Sequence, residues 1–133
     1  MLTRRRRLIM QETYDIGKRS LLSLICHGCT LFGATAVPIV GPIAILFLSD
    51  DPVVKANAKE SINFHLNIWF WATVILGIYG FLSFITFGLM GLILFPIVAF
   101  GFLWHFSWSI VAIVKTLANP NEPFRYPFIL RII

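Results

Sequence analysis

Cys26-His27-Gly28-Cys29 is the pattern in this chain whose residue types are best suited to chemistry. Thiols at i and i+3 share one helix face, as a redox couple or half of a metal site requires. A closed zinc site takes four ligands, and the chain holds no second cysteine pair. Covalent haem attachment places the histidine after the second cysteine, whereas His27 lies between the two. Cys26 and Cys29 also fall inside an apolar run, where a thiol packs as a small hydrophobe. The three histidines, His27, His65 and His105, lie one on each of three apolar runs and offer imidazoles to a haem or a pigment. His105 is central in its run and the other two lie near the ends, a spread that argues against one shared cofactor site. No cofactor and no metal are expected.

A second cluster is Ala58-Lys59-Glu60-Ser61-Ile62-Asn63-Phe64-His65, polar residues set directly against an apolar run. No carboxylate lies within the second or third run, which weakens a proton-coupled transporter, since those rely on a buried Asp or Glu relay. Neither a Ser-His-Asp arrangement nor a metalloprotease motif is present, so the chain is read as non-enzymatic. Lys59, Glu60 and Asn63, with Arg125 and Tyr126 near the C-terminus, are instead read as a polar collar flanking the apolar runs.

The elements that must position these residues belong in a membrane. The chain has 133 residues, 58% hydrophobic and 13% charged, with a mean hydropathy of +0.83. A soluble domain carries roughly 25% charged residues. So much apolar surface cannot hide in one small core, and the lipid bilayer is the expected partner. The net charge of +5 gathers near the N-terminus, where Arg4, Arg5, Arg6 and Arg7 precede Lys18 and Arg19. Such a block could bind nucleic acid, but its place before a first span reads as a cytoplasmic anchor on anionic lipid. Residues 1–19 are read as a basic cytoplasmic extension and residues 20–133 as one helical membrane domain. The apolar run continues past Ala34-Thr35-Ala36, so no cleaved signal peptide is expected.

The expected class is all-α, a small bundle of three transmembrane helices over about residues 20–48, 64–87 and 89–117, or four if the first run breaks. Pro38, Gly41 and Pro42 sit mid-way along that run. A re-entrant hairpin would put every cation on one side, as the positive-inside rule prefers. Length favours a single kinked crossing, because about 29 residues are too few for two full spans. Asp51-Pro52 is an N-cap and first-turn pair, opening a helix whose first turns lie outside the bilayer. Lys55, Lys59, Asn63 and Asn67 recur at four-residue spacing along it. Gly88 and Gly91 mark a tight hairpin, Gly77, Gly80, Gly88, Gly91 and Gly101 permit close helix approach, and Trp69 and Trp71 read as an aromatic belt. Three prolines make residues 118–133 an extended interfacial tail.

Three stretches carry a family resemblance: Ile25-Cys26-His27 with the break at Pro38, Gly41 and Pro42; Lys59-Glu60-Ser61-Ile62-Asn63-Phe64; and Phe124-Arg125-Tyr126-Pro127 with Arg131. Over residues 20–133 the chain resembles a small bacterial and cyanobacterial membrane-protein family related to the twenty-kilodalton subunit of the chloroplast inner-envelope translocon, the Tic complex. That resemblance implies three or four membrane helices and no catalytic activity. It also implies a bacterial inner membrane, or a cyanobacterial thylakoid or plasma membrane. The expected role is an accessory or assembly subunit that contacts other membrane-protein subunits through its helices. The alternatives are a translocon-like or channel component and a haem- or pigment-binding subunit.

Overall fold

A computed structural model describes residues 2–133, with the backbone alone at residues 2, 3, 7, 11 and 14. Helix α1 spans Leu2–Cys29, α2 Val37–Leu48, α3 Pro52–Ile85 and α4 Leu89–Ala118. The basic extension is therefore not separate from the first apolar run. It contains no proline, is rich in helix formers, and continues unbroken across residue 19. Arg4, Arg5 and Arg6 are exposed on it, while the side chain of Arg7 lies outside the described residues.

The first apolar run breaks at residues 30–36, ahead of the prolines expected to break it. A single 3-10 turn at Thr30–Phe32 ends α1. Pro38 falls in the first turn of α2, where its missing N–H is no loss, and α2 continues through Pro42. The prolines thus begin the second helix rather than kink one long one. The two ends of the run then meet: Arg19 Nε lies 2.6 Å from Asp51 Oδ2. The first segment is a helical hairpin that returns to its starting level, not a kinked single rod. Gly41 makes the hairpin close, since a Cβ there would stand 2.7 Å from Cys29 Sγ.

Asp51 caps α3 by accepting from the N–H groups of Val53 and Val54 at 2.8 and 3.3 Å. At the far end of α3, Gly88 takes φ +91° in the turn to α4, a conformation glycine adopts without steric cost. Phe87 before it is also left-handed, at φ +50°, and fully exposed. Gly91 then brings α4 against Ser83 and Tyr79, where a Cβ would meet Ser83 Oγ at 2.7 Å. Gly77, Gly80 and Gly101, expected to serve close approach too, face open space.

The burial pattern of α3 and α4 is that of membrane helices. Both are long and apolar enough to cross a bilayer, and only 0% and 11% of their most apolar windows is covered by protein. The buried residues of α3 are instead largely polar and lie in its first half, Val54 to Asn67. Apolar side chains point outward in the second half, as lipid solvent demands.

Candidate functional site

The polar first half of α3 grips the C-terminal tail. Asn57, Glu60, Asn63 and Asn67 recur every three or four residues, which places them on one helix face. Each holds the main chain of residues 119–133, which forms no helix. Asn57 Oδ1 accepts from Phe124 N–H at 2.8 Å and Glu60 Oε2 from Tyr126 N–H at 3.2 Å. Asn67 is bidentate to Leu130, donating to its carbonyl at 2.7 Å and accepting from its N–H at 3.0 Å. Asn63 accepts from the N–H groups of Ile132 and Ile133 and donates to the carbonyl of Ile133. The stripe pairs five N–H groups of this extended segment, those of Phe124, Tyr126, Leu130, Ile132 and Ile133, as a neighbouring strand would.

Beneath this strap lies a buried polar and aromatic cluster. Asn57 Oδ1 must accept, because Phe124 N–H donates to it, so His27 Nε2–H donates to it at 2.9 Å. The tautomer follows: His27 Nδ1 accepts the Tyr126 O–H at 3.0 Å. Burial pushes the Tyr126 phenol far above its ordinary range and keeps that donor protonated. Asn57 Nδ2 also donates to Ser23 Oγ and to the carbonyl of Val53, so its amide is fully engaged. The Phe64 ring is stacked between Tyr126, at 3.9 Å between centroids, and His105, at 5.5 Å. His65 stands 5.7 Å from His105. Both reach the turn between α1 and α2, His105 through Nε2–H to the Thr30 carbonyl and His65 through Nε2–H to that of Gly33, each at 3.0 Å.

His65 and His105 therefore meet, their ring centroids 5.7 Å apart, whereas His27 contacts Asn57, Phe124 and Tyr126. The hairpin explains this. Folding α1 and α2 back on themselves brings His27 and the 30–33 turn against the same stretch of α3 that meets His105. Both nitrogens of His27 and the Nε2 of the other two are bonded within the fold. Cys26 is buried and Cys29 packs against Gly41. Among the described residues no three His, Cys, Asp or Glu side chains group as a metal site.

The expected collar is rearranged. Asn63 and Tyr126 are buried in it, but Lys59 and Arg125 are exposed. Glu60 pairs with Arg131, whose Nε donates at 2.6 Å, and not with Arg125, which lies between the two strap residues bonded to α3. Alternate residues of an extended strap point apart, so Arg125 is turned outward when Phe124 and Tyr126 are held. Trp69, expected in an interfacial belt, donates through Nε1 to the Gly33 carbonyl at the hairpin tip. Asn57 joins the cluster through the polar spacing Asn57-Glu60-Asn63-Asn67, a neighbour of the four-residue stripe singled out above, whereas nothing in the local sequence marks Ser23 and Thr30.

At the outer end, Arg19 ties the hairpin to the cap of α3 through Asp51 and to the tail through the Asn121 carbonyl oxygen of the side chain, at 2.6 Å each. Burial pushes the Asp51 carboxyl up, but the Arg19 hydrogen bond and the two amide N–H groups outweigh it and hold the group below its ordinary value.

No curated protein and no solved structure matches the chain. The resemblance to the Tic-related family is overturned by the sequence family that does match, which covers residues 18–133 and nearly all of the elements just described. That match takes in the hairpin, the α3 stripe and the strap, and by it the chain belongs to the magnetosome magnetite crystal formation protein family.

Proposed function

We propose that this protein is a non-enzymatic integral protein of the magnetosome membrane that acts in magnetite crystal formation through contacts within and beside the bilayer. In this reading α3 and α4 cross the membrane, and the α1–α2 hairpin enters and leaves by one face. The observation that carries it is the Arg19–Asp51 ion pair, which closes the hairpin. With 12 residues, α2 is about 18 Å long, short of the roughly 30 Å hydrocarbon core.

All eleven Lys and Arg residues then share one face with all six Asp and Glu residues. The positive-inside rule makes that face cytoplasmic. The opposite face receives only the turn Thr86-Phe87-Gly88, and no charged residue lies between Glu60 and Lys115. Iron ions bind hard oxygen ligands such as carboxylates, and this turn offers none. The chain would therefore influence the mineral through its membrane partners rather than by touching it with an acidic loop.

Single cysteines at positions 16, 50, 87 and 121, in a chain with Cys26 and Cys29 replaced by alanine, test the topology with an impermeant thiol reagent. Positions 16, 50 and 121 should label from one side and 87 from the other; labelling of 16 and 50 from opposite sides would exclude the hairpin. For the role, a magnetite-forming host lacking this protein should regain normal crystals with the triple variant Glu12→Gln, Asp15→Asn, Glu122→Gln. Failure of that variant alone, with normal membrane levels, would move the activity to its carboxylates.

A further inference from the structure

The uncharged stretch from Ser61 to Val114 sets the depth of the other elements. Glu60 closes it on α3 and Lys115 on α4, and these two mark the near boundary of the hydrocarbon core. At that boundary α1 lies beside α3, since Ser61 Oγ–H donates to the Cys26 carbonyl at 2.7 Å. The hairpin turns back at the level of His65, Trp69 and His105, which bond the carbonyls of Gly33 and Thr30. Trp69 lies nine residues below Glu60 and His105 ten below Lys115. At 1.5 Å per residue the tip therefore stands about 15 Å deep, half of the roughly 30 Å core. The strap stops at the same depth: Leu130 reaches Asn67, and the chain then turns back to Asn63.

Past the tip the molecule is narrow. Phe70 to Ile85 of α3 and Leu89 to Trp104 of α4 run on alone for about 24 Å. Leu76, Ile78, Phe81, Phe84, Leu92 and Ile93 on these turns are each more than half exposed, and Gly77 and Gly80 have nothing against them. Among the described residues, the near half of the core thus holds four helices and the strap, and the far half only α3 and α4. With helix diameters of about 10–12 Å, the two hairpin arms add about 200 Å² of cross-section to one leaflet and none to the other.

We propose that the protein is a wedge that recognises membrane curvature, favouring lipid surfaces that are convex on the hairpin side. An inclusion wider in one leaflet crowds the lipids of that leaflet, and bending the membrane so that this leaflet becomes convex restores their area. Helices seated in one leaflet are curvature-sensitive for the same reason. The taper is fixed by the fold: three hydrogen bonds fasten the tip to α3 and α4, and the Arg19–Asp51 pair closes the base. The competing source of such a preference is the projecting part of α1, where Leu8, Ile9 and Met10 are exposed beside the arginines. The inference rests on the membrane placement of the hairpin, α3 and α4, but not on which face is cytoplasmic.

The test draws thin tubes from giant phospholipid vesicles that hold the full chain in both orientations, with Cys26 and Cys29 replaced by alanine. An impermeant fluorescent thiol reagent added outside labels an Asp50→Cys chain only when the hairpin end faces out. It labels a Phe87→Cys chain only when the far turn faces out. Molecules labelled at 50 should be enriched in the tube about threefold per lipid, a preference of about 0.65 kcal/mol. Those labelled at 87 should be depleted by a similar factor. Adding Leu8→Ser, Ile9→Ser and Met10→Ser to the Asp50→Cys chain should leave its enrichment unchanged. No sorting in either orientation, sorting of one sign in both, or loss of sorting in the triple-serine chain would each overturn the proposal. Labelling of positions 16 and 50 from opposite sides would overturn the topology and the wedge with it; absent sorting with the expected labelling overturns the wedge alone.

Discussion

The amide of Asn57 joins α1, α3 and the strap, because one side chain bonds Ser23, His27, Phe124 and its own helix. Asn57→Ala would strand the His27 ring N–H and the Phe124 amide in a dry interior. A loss of about 3 kcal/mol is expected, the cost of two or so unsatisfied buried groups, measured by reversible unfolding in mixed micelles. Tyr126→Phe removes only the donor to His27 Nδ1 and keeps the stack on Phe64; about 1–2 kcal/mol is expected. The Glu60 pairing separates two arrangements of the strap. A double-mutant cycle on Glu60 and Arg131 should show measurable coupling that weakens with added salt, because Arg131 is 41% exposed. The cycle on Glu60 and Arg125 should show none.

Among the elements, the hairpin depends on close approach at two glycines and on one latch. Gly41→Leu drives a side chain into Cys29, and Gly91→Leu drives one into Ser83 and Tyr79. Each should cost about 1–3 kcal/mol by overpacking, whereas Gly77→Leu, facing open space, should be neutral in the same unfolding assay. The latch is pH-dependent. Because the folded carboxyl of Asp51 is held below its ordinary value, it stabilises the fold fully above the unfolded value of about 3.9. That stability is lost as pH falls through the lower folded value. Unfolding stability in mixed micelles should therefore fall below about pH 4, and Asp51→Asn should remove that dependence while weakening the latch at neutral pH.

At the scale of the whole molecule, the charge map and the hairpin belong together. In the proposed topology the charged residues fall at one end, and 54 successive residues from Ser61 to Val114 carry no charge. Two crossings plus a hairpin satisfy both the charge map and the lengths of the helices; three crossings would divide the cations between faces. Placing an arginine at the far turn, as Phe87→Arg, should lower membrane insertion in the native orientation, read by protease protection of residue 121.

The sequence by itself determined that the chain is a helical membrane protein, that Asp51-Pro52 opens a helix, that Gly88 turns one and that the proline-rich tail is extended. These follow from composition and from local backbone chemistry, which act over a few residues. Tertiary structure alone decided that the first run folds back, that His27 meets Tyr126, and that Glu60 takes Arg131. Each of these depends on a partner far along the chain: Arg19 is 32 residues from Asp51, His27 is 99 from Tyr126, and Glu60 is 71 from Arg131. The proline positions pointed to a break in the first run, but its place was set by where α1 meets the α3 and α4 histidines, and no local propensity encodes that meeting.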